Sequence, residues 1–165
     1  MIDNNAYCPM IHSGLNINLK YQANILSYNQ CCLSAGQLDE VPTEPGLLWN
    51  SPYLQTIRKQ NNENVWLDSC WQCRHVESAG LKSFRQSMIE GLGIKKNVTG
   101  PQRIDLLFDR SCNLACRTCG PDFSTFWQKH LKQHGEWNYP IHIENNRDRV
   151  IASLSQLDLS NLRQV

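Results

Sequence analysis

The sequence has almost no net charge, since 16 lysines and arginines oppose 15 aspartates and glutamates over 165 residues. Proteins that bind nucleic acid through bulk electrostatics are usually strongly basic, so this balance argues against that class. No apolar run is long enough for a membrane-spanning helix, and the first ten residues lack the basic and apolar regions of a secretory signal. We therefore expect a cytoplasmic protein without nucleic-acid or membrane partners.

Cysteine, in contrast, is plentiful, with eight in the chain. Disulfides are rare in a reducing compartment, where clustered cysteines more often hold metal or carry out redox chemistry. We therefore favour metal or cluster binding over a disulfide framework. The cysteines form two groups, which predicts two sites. The groups are Cys8, Cys31, Cys32, Cys70 and Cys73 in the first half, and Cys112, Cys116 and Cys119 in the second.

The first half has the pattern of a small α+β domain. Alternating apolar and polar residues predict a strand over 11–20, and a second extended segment over 24–33 completes a hairpin. Ser51 and Pro52 are typical of an N-cap and a first helical position, so a helix is predicted to begin there. A further helix is expected over 81–92. Lys82 and Arg85, at its start, are expected on a solvated helix face; the alternative is that they bind an anionic substrate or tune a site at the nearby cysteine pair.

The second half has the order strand, loop, helix, helix, strand, which is the opening of an α/β domain. The polar stretch before it predicts a boundary near residue 98, which separates a domain over 1–97 from a second over 98–165. The apolar run 103–109 predicts a strand that is buried on both faces. Residues 161–165 are expected to begin the next strand. The first helix, over 122–134, is expected to bury one stripe, formed by Phe123, Phe126, Trp127 and Leu131.

The three cysteines after the strand have the spacing C-x3-C-x2-C. A closed zinc site needs four ligands, so zinc would require a histidine in addition, with His130, His134 and His142 as candidates. Three thiolates instead suit three corners of a 4Fe–4S cube and leave one iron free for a small ligand. The loop also leaves the carboxyl end of a strand, where α/β folds build active sites.

This loop, 112-CNLACRTC-119, together with the strand 104-IDLLFD-109, resembles the radical S-adenosylmethionine (radical SAM) enzymes. In that superfamily SAM chelates the free iron, and its reductive cleavage yields a 5′-deoxyadenosyl radical that abstracts a substrate hydrogen. The resemblance implies that Cys112, Cys116 and Cys119 hold the cluster and that the fold is a partial (β/α)6 barrel. Thr118 departs from the aromatic residue that many members have there. The segment 119-CGPDFSTFW-127 is similar to one branch of the superfamily.

The first half is similar to SPASM and twitch domains, which are auxiliary-cluster modules of radical SAM enzymes. The similarity is in the order Cys8-Pro9, Cys31-Cys32, 49-WNSPYLQTIR-58 and 70-CWQC-73. It implies that a second 4Fe–4S cluster is held by Cys8, Cys31, Cys70 and Cys73. Cys31 is favoured over Cys32 on the ground that adjacent strand residues point to opposite faces. A structural four-cysteine zinc site from the same residues is the alternative, and the sequence does not separate the two.

The expected function is therefore reductive cleavage of SAM for hydrogen abstraction, with an electron from a reductase or ferredoxin-type donor and a peptide or protein as substrate. Family members have a glycine-rich SAM-binding segment after the second strand, and the sequence stops at 161-NLRQV-165. We therefore expect an N-terminal fragment that is inactive alone. The alternative is a non-catalytic zinc-binding interaction module with a four-cysteine site and a site of three cysteines and one histidine.

Overall fold

A computed structural model of the chain describes residues 5–20, 25–34, 39–41, 47–91, 98–107, 112–121, 123–137 and 147–165. Within these residues the fold is mixed α/β, with six α-helices and one four-stranded sheet. None of the helices described is both long enough and apolar enough to cross a bilayer.

The sheet contains β1 (Gly14–Lys20), β2 (Ile25–Asn29), β3 (Asp39–Glu40) and β4 (Arg103–Leu107), in the strand order β3-β2-β1-β4. Strand β1 pairs antiparallel with β2, which confirms the predicted hairpin, and β2 pairs with the short β3. The predicted first strand begins too early, because helix α1 (Pro9–Ser13) takes up its first residues. Proline suits the first position of that helix, and the Ser13 hydroxyl donates to the Pro9 carbonyl at 2.7 Å.

The strand that precedes the three-cysteine loop is β4 (Arg103–Leu107), which pairs in parallel with β1. Its predicted burial on both faces is wrong, because Ile104 alone is buried and its neighbours in β4 are half-buried. The reason is its position, since β4 is the last strand in the sheet order. Gln164 forms a single parallel bridge with Arg103, in agreement with a strand that begins within 161–165.

The sheet and the core include residues from both sides of the predicted boundary near residue 98. Five residue pairs join β1 to β4, from Gly14 with Arg103 to Asn18 with Leu107. One core cluster contains Ile11, Leu15, Ile104 and Val150. We therefore expect the two parts to fold together, while the division into two functional domains stays a prediction.

The first-half helices are α2 (Pro52–Asn62), α3 (Trp71–Ser78) and α4 (Phe84–Gly91). Helix α2 is confirmed together with its cap, since the Ser51 hydroxyl accepts a hydrogen bond from the Leu54 N–H at 3.3 Å. Helix α4 is confirmed but begins at Phe84. Helix α3 was not predicted; it follows a short 3-10 turn, Asp68–Cys70.

Replacing Ser51 with alanine is expected to lower the free energy of unfolding by about 1 kcal/mol. The change leaves the buried N–H of Leu54 without its acceptor. Urea denaturation measures the effect. Thr56→Ala on the same helix is the matched control, because the Thr56 hydroxyl is exposed and only donates back to the Pro52 carbonyl. Equal midpoints for the two variants would contradict the capping role.

The second half contains α5 (Thr125–Gln133) and α6 (Arg147–Leu154). The predicted buried stripe of α5 is wrong, because Phe123 and Phe126 are 58% and 40% exposed and Trp127 and Leu131 are only half-buried. Ser124 and Gln128 are buried instead. These polar side chains are turned towards the preceding loop, where Ser124 Oγ donates to the Leu114 carbonyl at 3.1 Å and Gln128 Nε2 to the Pro121 carbonyl at 2.8 Å.

Candidate metal-binding cysteine sites

Four of the five first-half cysteines line one pocket, which contains about 470 Å³ of empty space with open solvent included. These residues are Cys8, Cys31, Cys70 and Cys73, and the feature that they line is named the four-thiol pocket. They are the same four residues that the resemblance to auxiliary-cluster modules implies as ligands of a second cluster.

Each cysteine of the four-thiol pocket lies at the end of a helix or strand. Cys8 directly precedes α1, Cys31 follows β2 closely, Cys70 ends the 3-10 turn, and Cys73 lies in the first turn of α3. Since the cysteines come from segments far apart in sequence, their meeting depends on the packing of α1, β2 and α3.

Asn61 of α2 fixes the segment that carries Cys8. Its Oδ1 accepts the Cys8 N–H at 3.0 Å, and its Nδ2 donates to the Ala6 carbonyl at 2.7 Å. His12 Nε2 lies 3.1 Å from the same Oδ1. Asn61 is itself buried and lines the pocket, so this amide positions one wall of the site.

The structure places Cys31 in the pocket and Cys32 outside it, where Cys32 is exposed. The Cys31 Sγ accepts the Leu33 N–H at 3.5 Å. The hydrogen bond with Cys31 lowers the pKa of Cys32 to about 7, with smaller effects of Asp105 and Arg103 of β4. Cys31 therefore lines the pocket and Cys32 does not, which agrees with the choice of Cys31 as ligand, although the two thiols are hydrogen-bonded to each other.

Three of the pocket cysteines, Cys8, Cys31 and Cys70, have raised pKa values. Desolvation raises the pKa of Cys8 to about 12 and also raises the pKa of Cys70. The pKa of Cys31 is raised by its hydrogen bond to Cys32 and by burial. A metal ion or cluster binds thiolates, so binding in this pocket would release protons.

The donor set of the four-thiol pocket suits a thiolate-bound metal or iron–sulfur cluster. All eight cysteines are free thiols, so no disulfide competes for them. Soft thiolates favour zinc and iron–sulfur clusters. Among the residues that the structure describes, no three histidine, cysteine, aspartate or glutamate side chains are grouped as a formed metal site. The four cysteines therefore suit a metal or cluster by their ligand type and because they line the same pocket.

Arg85 is a pocket residue whose predicted position on a solvated helix face is wrong. It is 3% exposed and lines the four-thiol pocket, whereas Lys82 is exposed as expected and pairs with Glu90. Arg85 forms an ion pair with the buried Glu77, near the end of α3, and its guanidinium lies 4.8 Å from the centre of the Trp66 ring. Local sequence gave no signal of this, because Arg85 and Glu77 lie on different helices.

The second predicted site is the three-cysteine loop, residues 112–121, which is bound to the start of α5. The Thr125 hydroxyl accepts from the Cys112 N–H at 3.1 Å and donates to its carbonyl at 3.0 Å. The Phe126 N–H also reaches the Cys112 carbonyl, at 3.0 Å. Trp127 Nε1 donates to the Cys116 carbonyl at 3.2 Å. The backbone of the loop is therefore held by the helix, while its side chains remain accessible.

The three thiols of this loop lie near the surface. Cys116 is exposed, and Cys112 and Cys119 are half-buried. A turn brings the Cys119 N–H to within 3.1 Å of the Cys116 carbonyl. Residues 108–111, which join the loop to β4, lie outside the described residues. Among the described residues, the three loop thiols do not form a group that could hold a metal ion.

The histidine candidates are not brought to the loop cysteines in the described structure. His130 on α5 and His134 directly after it are exposed, with ring centroids 4.7 Å apart. His130 also stacks on Phe126, at 6.3 Å between centroids. No described metal-binding group includes either of them. His142, the third candidate, lies outside the described residues.

No family model, no curated protein and no solved structure matches the chain. The functional interpretation depends on the spacing of the loop cysteines and on the geometry of the two sites. Of these, the four-thiol pocket is the feature that only the folded chain displays.

Proposed function

We propose that the chain is part of a radical SAM enzyme. In this proposal Cys112, Cys116 and Cys119 hold a 4Fe–4S cluster whose remaining iron is open to SAM. The observation that carries the proposal is the C-x3-C-x2-C loop, which follows a parallel strand and has its backbone bound to the next helix. Three cysteines on one loop suit three corners of a cluster whose fourth iron is open.

We further propose that β4 is the first strand of a partial (β/α)6 barrel. The support is the chain order, in which β4 is followed by the loop, α5, α6 and then Gln164. Gln164 forms a parallel bridge with Arg103, so the chain returns beside β4 in the direction that a β/α repeat requires. Parallel strands with intervening helices build active sites at their carboxyl ends, where this loop lies.

When bound, the cluster and SAM supply the electron transfer and radical chemistry. The residues of this chain would bind the cluster and hold the loop that carries its ligands. Thr125 and Trp127 hold the backbone at Cys112 and Cys116, and Ser124 Oγ donates to the carbonyls of Cys112 and Leu114, at 3.3 and 3.1 Å. These bonds are made to the loop backbone and use none of the three thiols. A peptide or protein substrate stays a proposal by analogy with auxiliary-cluster enzymes.

The four-thiol pocket is proposed to hold a second 4Fe–4S cluster, through Cys8, Cys31, Cys70 and Cys73. Four protein thiolates would close all of its iron corners, so this cluster is expected to relay electrons or to contact substrate. The first electron is expected from a reductase or ferredoxin-type donor.

Anaerobic reconstitution of the chain with iron and sulfide tests the proposal. We expect brown protein that contains roughly four to eight irons per chain, because one or two cubane clusters form. Iron and sulfide analysis with electron paramagnetic resonance of the reduced protein gives the cluster number. Colourless protein that takes up no iron would contradict the proposal.

The second candidate is a zinc-binding interaction module, and the four-thiol pocket is the observation that favours it. Cysteines from distant segments that line one pocket are also typical of a structural four-cysteine zinc site. In that case the purified chain would retain zinc, remain colourless after reconstitution and lose its folded structure on chelation. The module would need a histidine to complete the loop site.

A further inference from the structure

Arg85 is the one charged side chain among the described residues that line the four-thiol pocket. Its guanidinium is fully engaged with the protein. Nε donates to Glu77 Oε1 at 2.9 Å and Nη2 to Glu77 Oε2, while Nη1 donates to the carbonyls of Asn5 and Tyr7 at 2.8 and 2.5 Å. These bonds join α4, α3 and the segment before Cys8.

The two partners of the Arg85–Glu77 ion pair are placed differently relative to the pocket. Arg85 lines the pocket, whereas Glu77 is not among the described lining residues. The positive partner of this buried ion pair is therefore the one that lines the pocket. Charges interact strongly over a few ångström where water is excluded, so this orientation matters for any thiolate formed there.

Four thiolates around a divalent metal, or around an oxidised 4Fe–4S core, leave the complex with excess negative charge. A buried anion requires a compensating positive group or dipole. We propose that Arg85 is the countercharge of the four-thiol pocket, held in place by Glu77, and that it stabilises the metal-bound thiolate state. This role rests on the proposed metal site in the pocket, but not on whether iron or zinc occupies it.

The competing explanation is that the Arg85–Glu77 ion pair only stabilises the fold. The two explanations differ in the sign of the effect that each substitution has on metal affinity. Arg85→Gln and Glu77→Gln break the same ion pair, so both are expected to lower the thermal stability of the metal-free chain. The countercharge role predicts opposite effects on the metal. Arg85→Gln removes the positive partner, whereas Glu77→Gln leaves an uncompensated positive charge beside the thiols.

The experiment is titration of the full chain with Co²⁺, detected by thiolate-to-cobalt absorption, with Cys112, Cys116 and Cys119 replaced by serine so that the loop contributes no thiolates. We expect Arg85→Gln to weaken Co²⁺ binding about tenfold or more, and Glu77→Gln to leave it unchanged or to strengthen it. Arg85→Lys keeps the charge but loses the fork of donors, so binding within about threefold of the parent is expected, together with lower stability.

A fall of similar size in Co²⁺ affinity for both glutamine variants would overturn the proposal, as would the absence of a pocket-dependent thiolate band in the parent. If Co²⁺ binds with the expected signs but iron reconstitution fails, the countercharge stands and the iron–sulfur function does not. If clusters form, the midpoint potential of the pocket cluster is expected to fall in Arg85→Gln and to rise in Glu77→Gln, because reduction adds negative charge.

Discussion

Replacing Cys116 with alanine is expected to remove the loop cluster and to abolish reductive cleavage of SAM, while Cys73→Ala is expected to spare both. Cys116 is exposed, so its loss costs little folding energy and the effect is on ligation. A loop with two thiolates retains too few ligands for a cube that already has an open corner. Cys73 lies in the four-thiol pocket, where its loss affects the second cluster only.

Iron content per chain and the spectra of the reduced clusters measure the loss of the loop cluster. Formation of 5′-deoxyadenosine measures SAM cleavage, in a protein that carries this chain within a complete barrel. Cys32→Ala is the matched control, because Cys32 is exposed and outside the pocket, and both clusters should survive it. Equal loss of SAM cleavage in a folded Cys73→Ala protein that retains its loop cluster would count against two independent sites.

Gly100→Ala is expected to destabilise the whole chain, by about 3 kcal/mol or more. A Cβ atom at Gly100 would lie 1.8 Å from the Asp158 backbone oxygen and 2.9 Å from its carbonyl carbon. Backbone is in the way, so rotation of a side chain cannot relieve the clash. Either the segment that enters β4 or the turn after α6 must move.

The movement would spread into the sheet, because the next residues hold β4 in place. The Gln102 N–H donates to the Ser13 carbonyl at 2.8 Å, and the Arg163 N–H donates to the Gln102 carbonyl at 2.8 Å. Urea denaturation monitored by tryptophan fluorescence measures the loss. Gly120→Ala is the control, since a Cβ there would meet nothing within 4 Å, and a change within about 0.5 kcal/mol is expected. Similar midpoints for the two variants would contradict the close approach.

Local patterns predicted most of the helices and strands, and they failed where a short segment carried two signals. Residues 11–13 alternate like a strand, yet Pro9 and the hydrogen bond from Ser13 to Pro9 close a turn of helix there. Phe126 has the spacing of a core residue, but Gln128 and Ser124 are buried in its place because the loop offers them carbonyl acceptors. At Ser124 and Gln128, hydrogen bonds to the loop therefore decide which side chains are buried, and the helical spacing of the apolar residues does not.

The sequence by itself determined the mixed α/β class, the capped start of α2 and the two groups of cysteines, because spacing and capping are local properties of a chain. Tertiary structure alone decided that four thiols share one pocket, that Arg85 is buried beside them rather than solvated, and that β4 joins β1 in one sheet. Each of these depends on residues that are distant in sequence, and their approach is set by packing and desolvation, which no local pattern records.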